Sequence, residues 1–268
     1  MLKVNCTLEV MFLLFDIGGT KMRFCLSDGN NLGDVITIPT EKDFEKALAE
    51  IERTVSKLTS GQSLQATYGG VRALDSTKTT LKPQPHFPLW EGLPLKQRME
   101  EMLNTKVVLE NDASLAGLGE AIYGVGKGYK AVAYLSVSTG VGGVKILDGK
   151  IDPSSEQSEI GQQIIEGQTL ESLISGEGIR RRIGKEASRI NDPKVWEEIA
   201  KYLVAGLKIV ATNWSPEIII LGGAVIKSIP MSSVYSAFSK PSPKLTLSKF
   251  GDLSGLYGAL ALLNQNLS

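Results

Sequence analysis

Apolar and polar positions along this chain follow one plan twice. From Phe12 to Asn30 an apolar run leads into Asp16-Ile17-Gly18-Gly19-Thr20-Lys21, a second run follows, and Asp28-Gly29 closes the stretch. From Ala133 to Lys150 an apolar run leads into Ser138-Thr139-Gly140-Val141-Gly142-Gly143, another follows, and Asp148-Gly149 closes it. Short apolar runs bounded by Gly and Asp turn residues predict β-hairpins. A glycine turn also lets backbone N–H groups and Thr hydroxyls come close to phosphate oxygens, because no Cβ stands in the way. Two such turns, one in each half, predict two lobes closing on one polyphosphate.

Helical spacing appears next. Phe44, Leu48, Ile51, Val55 and Leu58 share one face, which predicts a helix opened by Pro39-Thr40, with Thr40 as N-cap, and stopped at Gly61. A short strand over Ala66–Tyr68 leads to Gly69-Gly70 and then to a loop carrying Pro83, Pro85, Pro88, Trp90 and Pro94. A helix over Leu95–Leu103 and a strand over Lys106–Leu109 deliver Glu110-Asn111-Asp112 to a strand's carboxyl end, where ligands gather in open α/β sheets. Beyond the second hairpin and a polar loop from Ser154 to Gly161, helices are expected over Leu170–Ile174, Gly178–Ile183 and 195–213. A buried strand, Ile218–Leu221, ends at Gly222-Gly223, and a last helix covers Gly255–Leu263. Apart from the doubled hairpin no repeat is visible.

Composition narrows the field. In 268 residues, Lys plus Arg equals Asp plus Glu at 29 each, so no overall field favours nucleic acid or an anionic membrane, and a small-molecule partner is expected. Cys6 and Cys25 have neither metal-site nor redox spacing, which predicts a reduced, cytoplasmic chain. The apolar start at Met11–Phe15 is too short to span a bilayer and predicts a buried strand. Met1–Val10 reads equally well as a start-site extension or an extra edge strand.

Each chemical motif has a plain structural reading beside it. Asp16 ends a buried strand, a costly place for a carboxylate unless it meets water or a metal. It is a candidate to hold Mg²⁺ through water, with Gly18, Gly19, Thr20 and Lys21 on phosphate; a simple tight turn is the alternative. Thr139, Gly140 and Gly142 form the matching turn. Gly222 and Gly223 either serve packing or let the backbone approach adenine and ribose. Asp112 is either a helix N-cap or the base that takes a hydroxyl proton during phosphoryl transfer, and one carboxylate can do both. Glu110 reads as a strand-end surface or hydrogen-bonding residue. Glu159 and Glu171 alone read as solvated acids, His86 as structural, and Arg180-Arg181-Arg182 with Lys185 and Arg189 as a solvated helix face.

Taken together, Asp16–Lys21, Glu110-Asn-Asp-Ala113, Ser138–Gly143, Glu159-Ile-Gly161, Leu170-Glu171 and Ile220-Leu-Gly-Gly223 resemble the ROK family of sugar kinases, in order and over nearly the whole chain. The resemblance implies an α/β, two-lobed, actin-like (ribonuclease-H-like) ATPase fold, each lobe a mixed sheet with flanking helices. Residues 1–113 with 256–268 are expected to form the small lobe and 114–255 the large one, with the active site in the cleft between them. It further implies Asp112 as catalytic base and Asn111, Glu159 and Glu171 as sugar ligands, with Gly70 and His86 on the sugar side, ATP and Mg²⁺ as cofactors, and a homodimer. The expected activity is phosphorylation of a hexose hydroxyl, glucose O6 first. An N-acetyl-amino-sugar kinase is the alternative within the enzyme class, and a sugar-responsive binding or regulatory protein that has lost catalysis is the alternative outside it.

Departures from the family pattern fall on the sugar side. The family histidine after Glu-Ile-Gly is Gln162 here, and the cysteine cluster that completes a structural zinc site is absent, so no zinc is expected. Gln162 can donate and accept in the histidine's place. A Gly-x-Pro-Gly-Pro segment is reduced to Gly70-Val71-Arg72-Ala73-Leu74, and His86 stands where an asparagine commonly binds sugar.

Overall fold

Both glycine hairpins turn out to be the opening strands of larger sheets with identical topology. The computed structural model describes residues 11–83, 88–157, 159–238 and 243–268. The chain divides into two compact units, Met1–Asp112 with Ala259–Ser268, and Ala113–Gly258.

In the first unit, β1 (Phe12–Ile17), β2 (Lys21–Ser27) and β3 (Ile36–Pro39) run antiparallel. On the other side of β1, β4 (Ala66–Val71) and β5 (Lys106–Asn111) run parallel to it, giving the order β3-β2-β1-β4-β5. Helices α1 (Phe44–Thr59) and α2 (Leu95–Leu103) supply the apolar cover. Leu13, Phe15 and Ile17 are fully buried, with Phe15 stacked on Phe24 at 6.3 Å between ring centres. Each such side chain contributes about 2 kcal/mol by leaving water. Gly69 has its place because a Cβ there would enter the Phe15 ring. Burial pushes the Cys25 thiol up to about 12, so it is an inert core group.

The expected cap of α1 needs correcting. Asp43, not Thr40, accepts from the Lys46 N–H at 3.0 Å. The register of β3 against β2, with Pro39 opposite Lys21, leaves Thr40 beside the first glycine turn instead. There its hydroxyl donates to Gly18 O at 2.8 Å and its N–H to Thr20 O at 3.1 Å.

Helix α3 (Asp112–Ile122) begins directly after β5. The second unit then repeats the sheet: β6 (Ala131–Val137), β7 (Val141–Leu147) and β8 (Lys150–Ile151) run antiparallel, and β6 takes its parallel neighbours on its other side. After α4 (Pro153–Gln157) come a two-stranded hairpin, β9 (Ile164–Ile165) and β10 (Gln168–Thr169), then α5 (Leu170–Ile174) and α6 (Gly176–Ile183). Helix α7 (Pro193–Trp214) buries Leu203, Leu207 and Val210 in the core of this unit. Strand β11 (Ile218–Gly222), α8 (Met231–Ala237) and β12 (Lys244–Leu247) complete the order β12-β11-β6-β7-β8. The final helix, α9 (Ser254–Leu267), is longer than the periodicity indicates, and the division between the units falls within it. Among the described residues no helix is long and apolar enough to cross a membrane.

Candidate active site

Three parallel strands of the first unit present candidate residues at one edge of the sheet. Asp16 on β1 lies in register with Gly70 on β4 and Glu110 on β5; one step on, Ile17, Val71 and Asn111 are in register. Asp112 follows as the first residue of α3, where a carboxylate also complements the helix dipole. Asp16, Gly70, Asn111 and Asp112 are thereby brought to the carboxyl ends of adjacent strands.

The first glycine turn is closed by Gly18 N–H donating to Lys21 O at 3.0 Å. A Cβ on Gly18 would meet only that oxygen, at 3.4 Å, which is ordinary van der Waals contact. Packing therefore does not require this glycine. Asp16 is opposed across the hairpin by Arg23, whose Nη1 stands 3.4 Å from Asp16 Oδ2. An arginine in the middle of an apolar strand was the available signal for this pair.

Glu110 is buried rather than on the surface. Lys78 Nζ donates to its Oε2 at 2.6 Å, and Asn111 N–H donates to its Oε1 at 2.8 Å. Lys78 is carried by a tight excursion after β4, where Leu74 bridges Leu81 and Lys82 N–H donates to Ala73 O. Inside it, burial works to raise the Asp75 carboxyl, but hydrogen bonds from Thr77, Thr79 and Thr80 outweigh that and hold it at about 2. Ala73 and Lys78 both take left-handed backbone, φ 55°. Trp90 is buried beneath, edge-on to Phe44, with its Nε1 donating to Lys42 O at 3.1 Å. His86 lies outside the described residues.

The second unit gathers another group at the ends of β6 and β11. Its glycine turn closes through Ser138 N–H to Gly140 O at 2.9 Å. Gly176 and Glu177 N–H groups, at the start of α6, donate to Ser138 O and Thr139 O at 2.7 and 3.1 Å. Val141 N–H donates to Glu171 Oε2 at 2.8 Å. Gly222 lies in register with Ser136 and leaves no space for a Cβ against the Tyr134 hydroxyl. Gly223 is left-handed, φ 96°, and pressed on the Val137 backbone. Both glycines thus have a structural reason to be there. A Cβ on Gly142 would stand 3.0 Å from Ala113 Cβ.

Glu159 has an unusual backbone, φ 25°, and precedes a short 3-10 turn, Ile160–Gln162, closed by Gln162 N–H to Glu159 O at 2.7 Å. Strained non-glycine backbone is commonly kept where it serves a site. Gln162 is exposed. Between Gln162 and Glu171, β9 and β10 are joined through Glu166 and Gly167, both left-handed, in a tight turn. Leu170 N–H returns to Gln163 O at 2.8 Å, and Thr169 caps α5 by accepting from Ser172 N–H at 3.2 Å. The Arg180–Arg182 run is ion-paired: Arg180 and Arg181 with Glu177, Arg182 with Glu198.

Comparison with known proteins fits this geometry. The model of the ROK family matches residues 13–266. The chain belongs to the ROK family. An N-acetylgalactosamine kinase of Shewanella sp. (strain ANA-3) is 26% identical, over 96% of this chain and 97% of that protein. The crystal structure of a ROK hexokinase from Thermus thermophilus superposes with a TM-score of 0.81 at 25% identity, over 97% of this chain and all of that one, 100%. A ROK family glucokinase from Streptomyces griseus, in complex with glucose and AMPPNP, also gives 0.81, at 23% identity, over 95% of this chain and 99% of that one. These ROK structures share the two mixed sheets and flanking helices described above, the actin-like ATPase fold.

Proposed function

We propose that this ROK-family sugar kinase transfers the γ-phosphoryl group of ATP to a hexose hydroxyl, glucose O6 first, with Asp112 as general base. The observation that supports this most is the register of β1, β4 and β5, which lines up Asp16 and Gly70 with Glu110, one step before Asn111-Asp112, beside a glycine turn that packing does not require.

In this reading Asn111, Glu159, Glu171 and Gln162 orient the sugar, with Gly70 and His86 on the same side. Asp112 accepts the hydroxyl proton as the sugar oxygen bonds to phosphorus and the bridge to ADP breaks. Gly18, which has no Cβ, and the Gly19 amide, with Thr20 and Lys21, and likewise Thr139, Gly140 and Gly142, are the groups assigned to phosphate oxygens as charge moves onto the leaving ADP. Gly222 and Gly223 leave the backbone bare for the nucleoside. Among the described residues no group of three or more His, Cys, Asp or Glu is placed to hold a metal ion alone. One carboxylate, Asp16, fits Mg²⁺, which is commonly held by one or two carboxylates with waters and substrate phosphates. Bound there, Mg²⁺ would neutralise charge on the phosphates. In this reading no zinc is expected, and the β9–β10 turn with its hydrogen bonds supports that by tying together the Gln162–Glu171 stretch.

The exposed side chain of Gln162 and the kinship to an N-acetylgalactosamine kinase favour, as second reading, an N-acetyl-amino-sugar acceptor. A coupled ADP-release assay with Mg·ATP and paired free and N-acetylated hexoses separates the two. Sugar binding without ADP release from any acceptor would instead mark a regulatory protein.

A further inference from the structure

Val141, in the second glycine turn, is the first residue of β7, and it is gripped from both sides by segments assigned above to sugar. Its N–H donates to Glu171 Oε2 at 2.8 Å. Its carbonyl oxygen lies 2.6 Å from where a Cβ on Gly161 would be, so the backbone of the Glu159–Gly161 segment is seated on it. The rest of the turn is supported by Gly176 and Glu177 N–H groups, which follow Glu171 along α5 and α6. Within the turn itself Ser138 N–H donates to Gly140 O at 2.9 Å. A carboxylate accepting from a backbone N–H makes one of the stronger hydrogen bonds available, and Thr169, by capping α5, fixes the helix turn that aims it.

We propose that Glu171 is a positioning residue for the phosphate turn as well as a sugar ligand, so that sugar occupancy and nucleotide affinity are linked through Val141. The inference rests on the reading of Thr139–Gly142 as phosphate contacts and of Glu171 as a sugar contact. A sugar hydroxyl that donates to the Glu171 carboxylate restricts its rotamer and so fixes the Val141 amide and the turn before it. Linkage is reciprocal, so sugar tightens nucleotide by the factor by which nucleotide tightens sugar. The enzyme then holds ATP in reactive form chiefly when an acceptor is present, which limits attack by water.

Calorimetry with Mg·AMPPNP, with and without the acceptor sugar, on wild type, Glu171→Gln, Glu171→Asp and Glu171→Ala tests this. Without sugar, Gln keeps an acceptor oxygen for Val141 and should hold nucleotide within about threefold of wild type. Ala loses that bond and should weaken nucleotide roughly tenfold, the size of one charge-assisted hydrogen bond. Asp keeps the charge but draws the oxygen back by one methylene, and should weaken nucleotide as Ala does. All three should raise the sugar KM. If Ala and Asp, folded by their thermal midpoints, bind nucleotide without sugar as wild type does, the inference is wrong. If the sugar KM is unmoved in all three while Ala and Asp lose nucleotide, the positioning role stands and the assignment of Glu171 to sugar fails.

Discussion

Lys78 neutralises Glu110: its Nζ donates to Glu110 Oε2 at 2.6 Å, while the other carboxylate oxygen accepts the N–H of Asn111 at 2.8 Å. A charge carried by a loop thus holds the last buried acid of β5, two positions before the proposed base. Removing one partner of such a pair leaves a buried charge, but Lys78 is 36% exposed, so solvent screens part of the loss. Lys78→Met should cost about 1–2 kcal/mol in urea unfolding and lower kcat. The double variant Lys78→Met/Glu110→Gln should recover most of the stability. Recovery absent from that double-mutant cycle would mean the pair is not coupled.

Ala73 is a second point of strain that can be measured. Its φ of 55° puts a Cβ where left-handed backbone disfavours one. Ala73→Gly should relieve that cost and add back some chain entropy, for a net gain of about 0.5–1 kcal/mol. A loss of stability on thermal melting would show that the Cβ contributes packing that outweighs the strain.

Asp75 ties stability to acid pH. Its carboxyl is held at about 2 against an ordinary value of 3.8. A depressed folded-state value stabilises above the unfolded value and is lost as pH falls through the folded one. The stability difference between wild type and Asp75→Ala should therefore be full at pH 5 and shrink between about pH 4 and pH 2. A difference that stays constant over that window would remove the titration from the explanation.

Glu120, on α3, is fully buried and fully used. Its Oε1 accepts from Ser248 Oγ at 2.6 Å, Phe250 N–H at 2.9 Å and Ser254 Oγ at 3.1 Å, and its Oε2 from Val125 N–H at 3.3 Å. Glu120→Ala orphans these donors and should cost about 3 kcal/mol or more. Glu120→Gln keeps acceptor capacity and should cost less. Equal losses in the two variants would make volume, not hydrogen bonding, the cause.

How much of this was legible in the chain differs residue by residue. The doubled hairpin is visible because apolar runs and glycine turns are local signals. That each hairpin opens an identical five-stranded sheet is not visible, because β3, β8 and β12 are edge strands of only four, two and four residues, too short for alternation to stand out. Thr40 reads as a helix cap by its neighbours, yet strand register takes it to Gly18. The β9–β10 hairpin has strands of two residues, below the length at which alternation can be seen. Strand ends mark Asp16, Asn111 and Asp112 as candidates. Lys78 with Glu110 and Val141 with Glu171 are separated by 32 and 30 positions, and only folding brings each pair together.

Asp112 is the residue on which the proposed chemistry depends. The direct measurement is sugar-stimulated ADP release with Mg·ATP for wild type and Asp112→Asn, alongside AMPPNP binding by calorimetry. Without a base the turnover number should fall by about 10²–10⁴-fold, while nucleotide affinity stays within about twofold. Turnover in Asp112→Asn within tenfold of wild type would contradict the account.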